Sequence, residues 1–178
     1  MKKKIGEKDF KKILEEIVSK FVEENKDSLK EGSIGLVGIH TRGVILAKRI
    51  ALILQKKYKS QAAVGSLDIT LYRDDVGEIG NQPLVKETDI PFSIEGRTIL
   101  LVDDVLYTGR TIRSALDALL ELGRPKLIRL TVMADRAGRE LPIQADYCGT
   151  EISVAKNEEV QIKVKEIDGE DGIWILKK

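Results

Sequence analysis

The sequence has little of what metal centres and disulfide frameworks require. Its 178 residues include one cysteine, Cys148, and one histidine, His40. A single cysteine excludes an intramolecular disulfide and a cysteine-based zinc site, and a single histidine excludes a histidine-rich metal site. A reducing compartment, the cytoplasm, is therefore the expected location.

Signals for membranes and export are also missing. Lys2, Lys3 and Lys4 resemble the start of a signal peptide, but no apolar segment follows them, and no apolar run approaches transmembrane length. The formal net charge is +1, so no overall field draws the chain to nucleic acid or to a membrane. We expect no membrane and no DNA partner, and any RNA binding requires a local basic patch.

The residues that are present predict a globular α/β protein. Hydrophobic residues make up 42% and charged residues 33%, and the length suits a single domain over 1–178. Apolar periodicity predicts helices and strands in alternation, which favours a mostly parallel central sheet flanked by helices. The predicted elements are a helix at 8–25, a strand at 34–39, a helix at 44–56, a strand at 62–72, a strand at 98–102, a helix at 112–122, a strand at 127–133 and an antiparallel pair within 160–178.

One stretch, residues 98–111, combines features that suit a sugar phosphate. A short apolar run at 98–102 predicts a strand buried on both faces, and Asp103 and Asp104 follow it at the sheet edge where open α/β sheets bind ligands. The turn at 107–111 opens a helix, whose first N–H groups and positive dipole end favour a phosphate. The acids offer acceptors for sugar hydroxyls beside donors for a phosphate.

A second turn of the same kind lies at 40–43, between the strand at 34–39 and the next helix. Its N–H groups can hold a second anion, so the two turns together fit a substrate with two phosphate groups. After the strand at 62–72 the periodicity is lost in a run of glycines and charges. We predict that residues 66–83 form a flexible lid and its root.

Four motifs carry a resemblance to a known family. They are V-G-I-H-T-R-G at 37–43, D-I-T-L-Y-R-D-D at 68–75, D-D-V-L-Y-T-G-R-T at 103–111 and D-R-A-G-R-E-L-P-I at 135–143. The third resembles the phosphoribosyl pyrophosphate (PRPP) signature of type I phosphoribosyltransferases. All four, in this order, resemble the pyrimidine operon regulators that also act as uracil phosphoribosyltransferases.

The resemblance implies a type I phosphoribosyltransferase fold with a small hood, placed here at 135–155, and a UMP-forming reaction that consumes uracil and PRPP with Mg²⁺. It also implies a regulator that senses UMP or UTP and binds pyr operon mRNA in transcription attenuation, and a homo-oligomer, either a dimer or a larger assembly. No protein ligands to the metal are predicted, because PRPP itself holds Mg²⁺.

The resemblance also assigns roles to individual residues. The expected catalytic residues are Asp103, Asp104, Arg42 and Arg73. The expected PRPP- and UMP-binding residues are Thr41, Arg42, Gly43, Asp103, Asp104, Val105, Leu106, Tyr107, Thr108, Gly109, Arg110 and Thr111. The expected base-binding residues are Asp135, Arg136, Tyr147 and Cys148, with Tyr147 stacked on the ring.

Two alternatives stay open. The exposed face of the first helix is acidic and Gln144 lies where a basic residue is expected, which argues against RNA binding because carboxylates repel a phosphate backbone; basic residues cluster elsewhere instead. The first alternative concerns the function, which is that of an enzyme without RNA binding or that of an RNA-binding regulator whose site merely senses nucleotide. The second concerns the base, which is a purine or orotate instead of uracil. The acidic residues are Glu15, Glu16, Glu23 and Glu24, and the basic ones are Arg110, Arg113, Arg124, Lys126, Arg129, Arg136 and Arg139.

Overall fold

A parallel sheet of five strands forms the centre of the protein. The computed structural model describes residues 1–72 and 87–177. The strands lie in the order β3-β2-β4-β5-β6, every neighbouring pair parallel. Their bounds are Ile34–Ile39 for β2, Ala63–Leu67 for β3, Thr98–Leu106 for β4, Leu127–Arg136 for β5 and Tyr147–Ile152 for β6.

Helices cover both faces of this sheet because each has one apolar stripe to bury. In α1, side chains such as Phe10, Leu14 and Phe21 recur on one face and join a core with α3, while the apolar face of α4 packs on the opposite side. The helices are α1 Glu7–Glu24, α2 Lys26–Lys30, α3 Arg42–Tyr58, α4 Arg110–Glu121 and α5 Lys165–Asp168. No helix among residues 1–72 and 87–177 is long and apolar enough to cross a membrane.

A second, antiparallel sheet has three strands in the order β1-β8-β7. It consists of β1 Lys2–Ile5, β7 Glu158–Lys163 and β8 Gly172–Lys177. The predicted fold class, a mostly parallel central sheet flanked by helices with a small hood region, is confirmed. Part of the predicted hood at 135–155 belongs to the parallel sheet instead, because β5 ends at Arg136 and β6, Tyr147–Ile152, pairs parallel with it. We use the name hood sheet for β1, β7 and β8.

The predicted strand at 62–72 is shorter in the structure. β3 ends at Leu67, and a 3₁₀ helix at Thr70–Tyr72 follows. Asp68 causes this change of direction, since its Oδ1 accepts bonds from the backbone N–H and the hydroxyl of Thr70 at 2.9 and 2.6 Å. Of the predicted lid at 66–83, residues 73–83, including Arg73, lie outside the described residues.

Candidate functional site

Two adjacent carboxylates occupy the carboxyl-terminal part of β4. The strand continues through Leu106, so Asp103 and Asp104 belong to it instead of following it as predicted. Asp103 Oδ1 accepts from the Asp104 N–H at 2.9 Å, and Asp104 Oδ1 accepts from the Val105 N–H at 2.8 Å. These bonds fix both carboxyl groups at the sheet edge.

Burial governs the protonation of this pair. Asp103 is 7% exposed, and burial, reinforced by the neighbouring charge of Asp104, raises its pKa well above the usual value. Burial also raises the pKa of Asp104, although its backbone hydrogen bond and the charge of Arg42 act in the opposite direction. The pair therefore favours partners that donate hydrogen bonds or bring positive charge.

The turn after β4 leads directly into α4. Gly109 has φ 93°, a left-handed conformation that favours glycine, and it directly precedes the first residue of the helix, Arg110. The Arg110 N–H donates to Thr108 Oγ1 at 3.3 Å. Leu106 is buried in the core, so only its backbone can reach a ligand, whereas Tyr107 is exposed. The structure thus places the predicted phosphate turn at a helix N-terminus.

The second predicted turn lies beside the first. α3 begins at Arg42, and a Cβ on Gly43 would come within 2.4 Å of the Val102 carbonyl oxygen. The first turn of α3 therefore lies directly against β4, next to Asp103. Arg42 donates from Nη2 and Nε to the carboxylate of Asp168 at 2.9 and 3.3 Å.

A pocket of about 310 Å³ connects these groups. It lies between the carboxyl ends of the parallel strands and strand β7 of the hood sheet. Clefts of about 420 and 490 Å³ lie elsewhere, the first against α1 and the second against α2, but the acidic pair does not line them. The lining residues of the 310 Å³ pocket are Arg42, Asp104, Val105, Tyr107, Arg136, Glu159, Val160, Gln161 and Ile162.

Of the four predicted base-binding residues, Arg136 lines this pocket. It is 5% exposed, and its guanidinium carbon lies 3.9 Å from the centroid of the Tyr107 ring, a cation–π arrangement. Its buried Nε has no hydrogen-bond partner among the described residues. A buried unpaired donor beside a pocket is suited to a polar ligand.

Tyr147 does not have the position that a base-stacking residue requires. It is 2% exposed and packs edge-on against Phe21 of α1, with ring centroids 5.7 Å apart. Its hydroxyl donates to Glu24 at 2.7 Å and accepts from Asn25 at 3.0 Å, and burial with the Glu24 bond raises its pKa to about 12. The ring lies in the core, which argues against the predicted stacking role.

The other two predicted base contacts are also engaged elsewhere. Both carboxylate oxygens of Asp135 accept from Arg139 Nη2, at 2.6 and 2.8 Å. Cys148 is half-buried in β6, where its thiol lies 3.3 Å from the Thr150 carbonyl oxygen and burial raises its pKa. Neither side chain lines the pocket.

Sequence reasoning missed Asp168 and the β7 residues of the pocket. Asp168 belongs to a D-G-E-D-G run that reads as an ordinary hairpin turn, and β7 reads as an ordinary alternating strand. Neither pattern indicates which other element the segment contacts. The two turns, by contrast, are recognisable because glycine, acid and hydroxyl residues follow an apolar strand.

Comparison with known proteins agrees with this geometry. The model of the family described as "Phosphoribosyl transferase domain" matches residues 4–166. "Bifunctional protein PyrR" of Thermus aquaticus is 52% identical over 170 residues, which cover 96% of this chain and 92% of that protein. The protein of the same name from Pelotomaculum thermopropionicum is 48% identical over 177 residues, covering 99% and 96%.

Solved structures show the same architecture. A hypoxanthine phosphoribosyltransferase from Trypanosoma cruzi superposes with a TM-score of 0.77 over 99% of this chain and 95% of that one, at 19% identity. A hypoxanthine-guanine phosphoribosyltransferase from Bacillus anthracis superposes with a TM-score of 0.66 over 90% and 85%, at 17% identity. At such identities the likeness establishes the fold alone.

Proposed function

Because the chain belongs to the phosphoribosyltransferase family, and within it to the bifunctional PyrR proteins, we propose that it makes UMP and pyrophosphate from uracil and PRPP. The observation that carries this proposal is the acid pair near the end of β4, with Asp103 buried and Asp104 lining the pocket, followed by a turn at the N-terminus of α4. Ribose hydroxyls need acceptors and a 5-phosphate needs donors, and these two features supply both within one stretch of chain.

The proposed binding mode assigns each group to one part of PRPP. Asp103 and Asp104 accept from the ribose 2- and 3-hydroxyls, and the backbone of 105–111 holds the 5-phosphate. Thr41, Arg42 and Gly43 hold the pyrophosphate at the start of α3. Arg136, which stacks on Tyr107 and lines the pocket, donates to the base. Arg73 stays a proposed pyrophosphate contact and lies outside the described residues.

The proposed reaction is a displacement at the anomeric carbon of PRPP. The bond from this carbon to the pyrophosphate oxygen breaks, a bond to a uracil ring nitrogen forms, and the proton of that nitrogen is released. Bond breaking runs ahead of bond making, as in glycosyl transfer generally, so positive charge develops on the ribose. Asp104 then stabilises this charge, and Arg42 stabilises the departing pyrophosphate.

The donor set suits a Mg²⁺ ion held mainly by the substrate. The described residues contain no cluster of three or more groups able to hold a metal, while Asp103 and Asp104 offer carboxylate oxygens of the kind Mg²⁺ accepts alongside phosphate oxygens and water. When bound, the ion would offset the charge of the pyrophosphate. The residues of the chain orient the ribose and phosphates around it.

A pyrophosphate-release assay tests the enzymatic proposal. The protein is incubated with PRPP, Mg²⁺ and one base at a time: uracil, orotate, hypoxanthine or guanine. We expect release with uracil well above the rates with the other three bases. Faster release with orotate or a purine would assign the fold to that base, and no release with any base would overturn the proposal.

We propose a second function, regulation of pyr operon expression by binding its mRNA in response to uridine nucleotides. The support is the near-full-length match to proteins named as bifunctional. Several basic residues of the cluster noted in the sequence are paired in the described structure: Arg113 with Asp117 at 2.8 Å and Arg129 with Asp146 at 2.7 Å. Their charge is partly neutralised, so RNA affinity depends on the remaining basic residues, such as Arg124 and Lys126.

A gel shift with pyr leader RNA tests this second function. We expect UMP to increase RNA retention, and the retention to fall steeply as salt rises from 50 to 200 mM, roughly as phosphate neutralisation requires. A chain that turns over PRPP but retains no RNA with or without UMP would be an enzyme only. Homo-oligomer formation and a cytoplasmic location stay predictions, the first to be tested by light scattering.

A further inference from the structure

The D-R-A-G-R-E-L-P-I motif contacts the phosphate turn from outside the pocket. Arg139 donates from Nη2 to both oxygens of Asp135, at 2.6 and 2.8 Å, and from Nη1 to the carbonyl oxygen of Tyr107. One guanidinium thus joins the end of β5 to the first residue of the turn. We call residues 135–141 the buttress.

The backbone of the buttress adds further bonds. The N–H groups of Glu140 and Leu141 both donate to the Thr108 carbonyl oxygen, at 2.9 and 3.1 Å. Gly138, at φ 126°, allows the chain to come this close, since a Cβ there would lie 2.5 Å from the Tyr107 ring. The carbonyl groups of Tyr107 and Thr108 are therefore both bonded to the buttress.

Peptide geometry determines where the N–H groups of the phosphate turn point. A trans peptide directs its N–H opposite to its C=O, so the N–H groups of Thr108 and Gly109 face away from the buttress. A backbone loop that holds an anion must present N–H groups and keep carbonyl oxygens turned away from it. The buttress holds the turn in that orientation.

We propose that Arg139 is a positioning residue for the 5-phosphate of the nucleotide, acting through the Tyr107 carbonyl and anchored by Asp135. The inference rests on the proposed function. Arg139 does not contact the phosphate itself, because both of its terminal nitrogens bond to Asp135 and Tyr107. Its side chain is 26% exposed and that of Asp135 is 20% exposed, so water screens the pair only in part.

Calorimetric binding of UMP and uridine, which differ only by the phosphate, tests this role. We expect Arg139→Gln to weaken UMP binding about tenfold, the order of one charge-assisted hydrogen bond, and to leave uridine binding unchanged within about twofold. Arg139→Lys keeps the charge but cannot bridge Asp135 and Tyr107 together, so most of the loss should persist. Asp135→Asn should weaken UMP in the same direction, and the double variant should bind no more weakly than Arg139→Gln alone.

Arg113→Gln is the matched control, since Arg113 lies on α4 in an exposed ion pair with Asp117, and it should bind UMP as the parent does. Equal weakening of UMP and uridine by Arg139→Gln, or full recovery in Arg139→Lys, would overturn the inference, as would unchanged UMP binding in Arg139→Gln. A parent protein that binds no UMP at millimolar concentration would instead overturn the proposed function. Melting curves identify any variant that is unfolded. If Arg139→Gln is unfolded, the binding of UMP and uridine by Arg139→Lys tests the inference in its place.

Discussion

Arg42 and Asp168 form a two-point ion pair between the start of α3 and the helix that joins the two C-terminal strands of the hood sheet. Arg42 Nη2 lies 2.9 Å from Asp168 Oδ1, and Nε lies 3.3 Å from Oδ2. The Val164 N–H also donates to Asp168 Oδ2, at 2.9 Å. Burial alone would raise the pKa of Asp168, but the bonds from Arg42 and Val164 bring it below the usual value. The carboxylate therefore stays charged and orients the guanidinium beside Asp104.

Asp168→Asn tests whether this orientation matters for substrate binding. The amide can accept only one of the two bonds, so we expect the KM for PRPP to rise about tenfold, because Arg42 holds the pyrophosphate less well. We expect kcat to fall as well, because Arg42 also stabilises the departing pyrophosphate. Steady-state kinetics with PRPP varied measure both. Glu170→Gln in the same segment, whose carboxylate pairs with Lys163 and Lys3, is the control. An unchanged or lower KM for PRPP would contradict the role.

Asp104→Asn tests the acid pair. The substitution removes a charge beside the developing positive charge of the ribose but keeps the size of the side chain and one acceptor oxygen. We expect kcat to fall by roughly 100-fold, in the range seen when one electrostatic contact to a transition state is lost, while the melting temperature stays near that of the parent. Asp117→Asn on the outer face of α4 serves as control. Turnover within about twofold of the parent would exclude this role for Asp104.

The raised pKa of Asp103 predicts a pH dependence of stability. The folded state binds the proton more tightly than the unfolded state, so stability falls as the pH rises from about 4 towards the folded pKa. Asp103→Asn removes this loss. We expect the melting temperature of the variant minus that of the parent to increase by at least about 2 °C between pH 4.5 and pH 8. A difference that stays constant over this range would show that burial of Asp103 has no such cost.

Tyr147→Phe distinguishes a core residue from a base-stacking one. Loss of the hydroxyl breaks the bonds to Glu24 and Asn25, so we expect the free energy of unfolding to fall by about 1–2 kcal/mol. The KM for uracil should stay within about twofold of the parent, because the ring does not line the pocket. Denaturant titration and uracil kinetics provide the two values. The opposite result, unaltered stability with a raised uracil KM, would restore the predicted stacking role.

Sequence patterns predict those parts of the fold whose structure is determined by residues close together in the chain. The buried strand of β4, the acids and the glycine turn before α4 lie within 98–111, and local chemistry is enough to place them together. The strand at 62–72 was overestimated because Asp68 bonds to Thr70 and turns the chain, which apolar alternation does not show. The core and the hood sheet depend on which segments, distant in sequence, pack against each other, and the local sequence pattern does not determine this packing.

Tyr147 and Asp168 illustrate the point from opposite directions. An aromatic residue after an irregular stretch fits a base-stacking role equally well as a core role, and only the packing of α1 over β6 decides between them. Asp168 resembles a turn residue, and its significance appears only when the hood sheet brings it to Arg42, 126 positions away in sequence. Long-range pairing carried the missing information in both cases.

The close approach of Gly43 to the Val102 carbonyl sets the distance between the guanidinium of Arg42 and the carboxylates of Asp103 and Asp104. Because Gly43 has only a hydrogen as its side chain, α3 packs directly against β4, the strand that carries Asp103 and Asp104. Arg42 is the residue before Gly43, so this packing also sets its distance from the two carboxylates. One methyl group at Gly43 would wedge helix and strand apart and separate the opposite charges without touching any ligand. The separation of opposite charges across the pocket thus depends on the absence of a Cβ atom at Gly43.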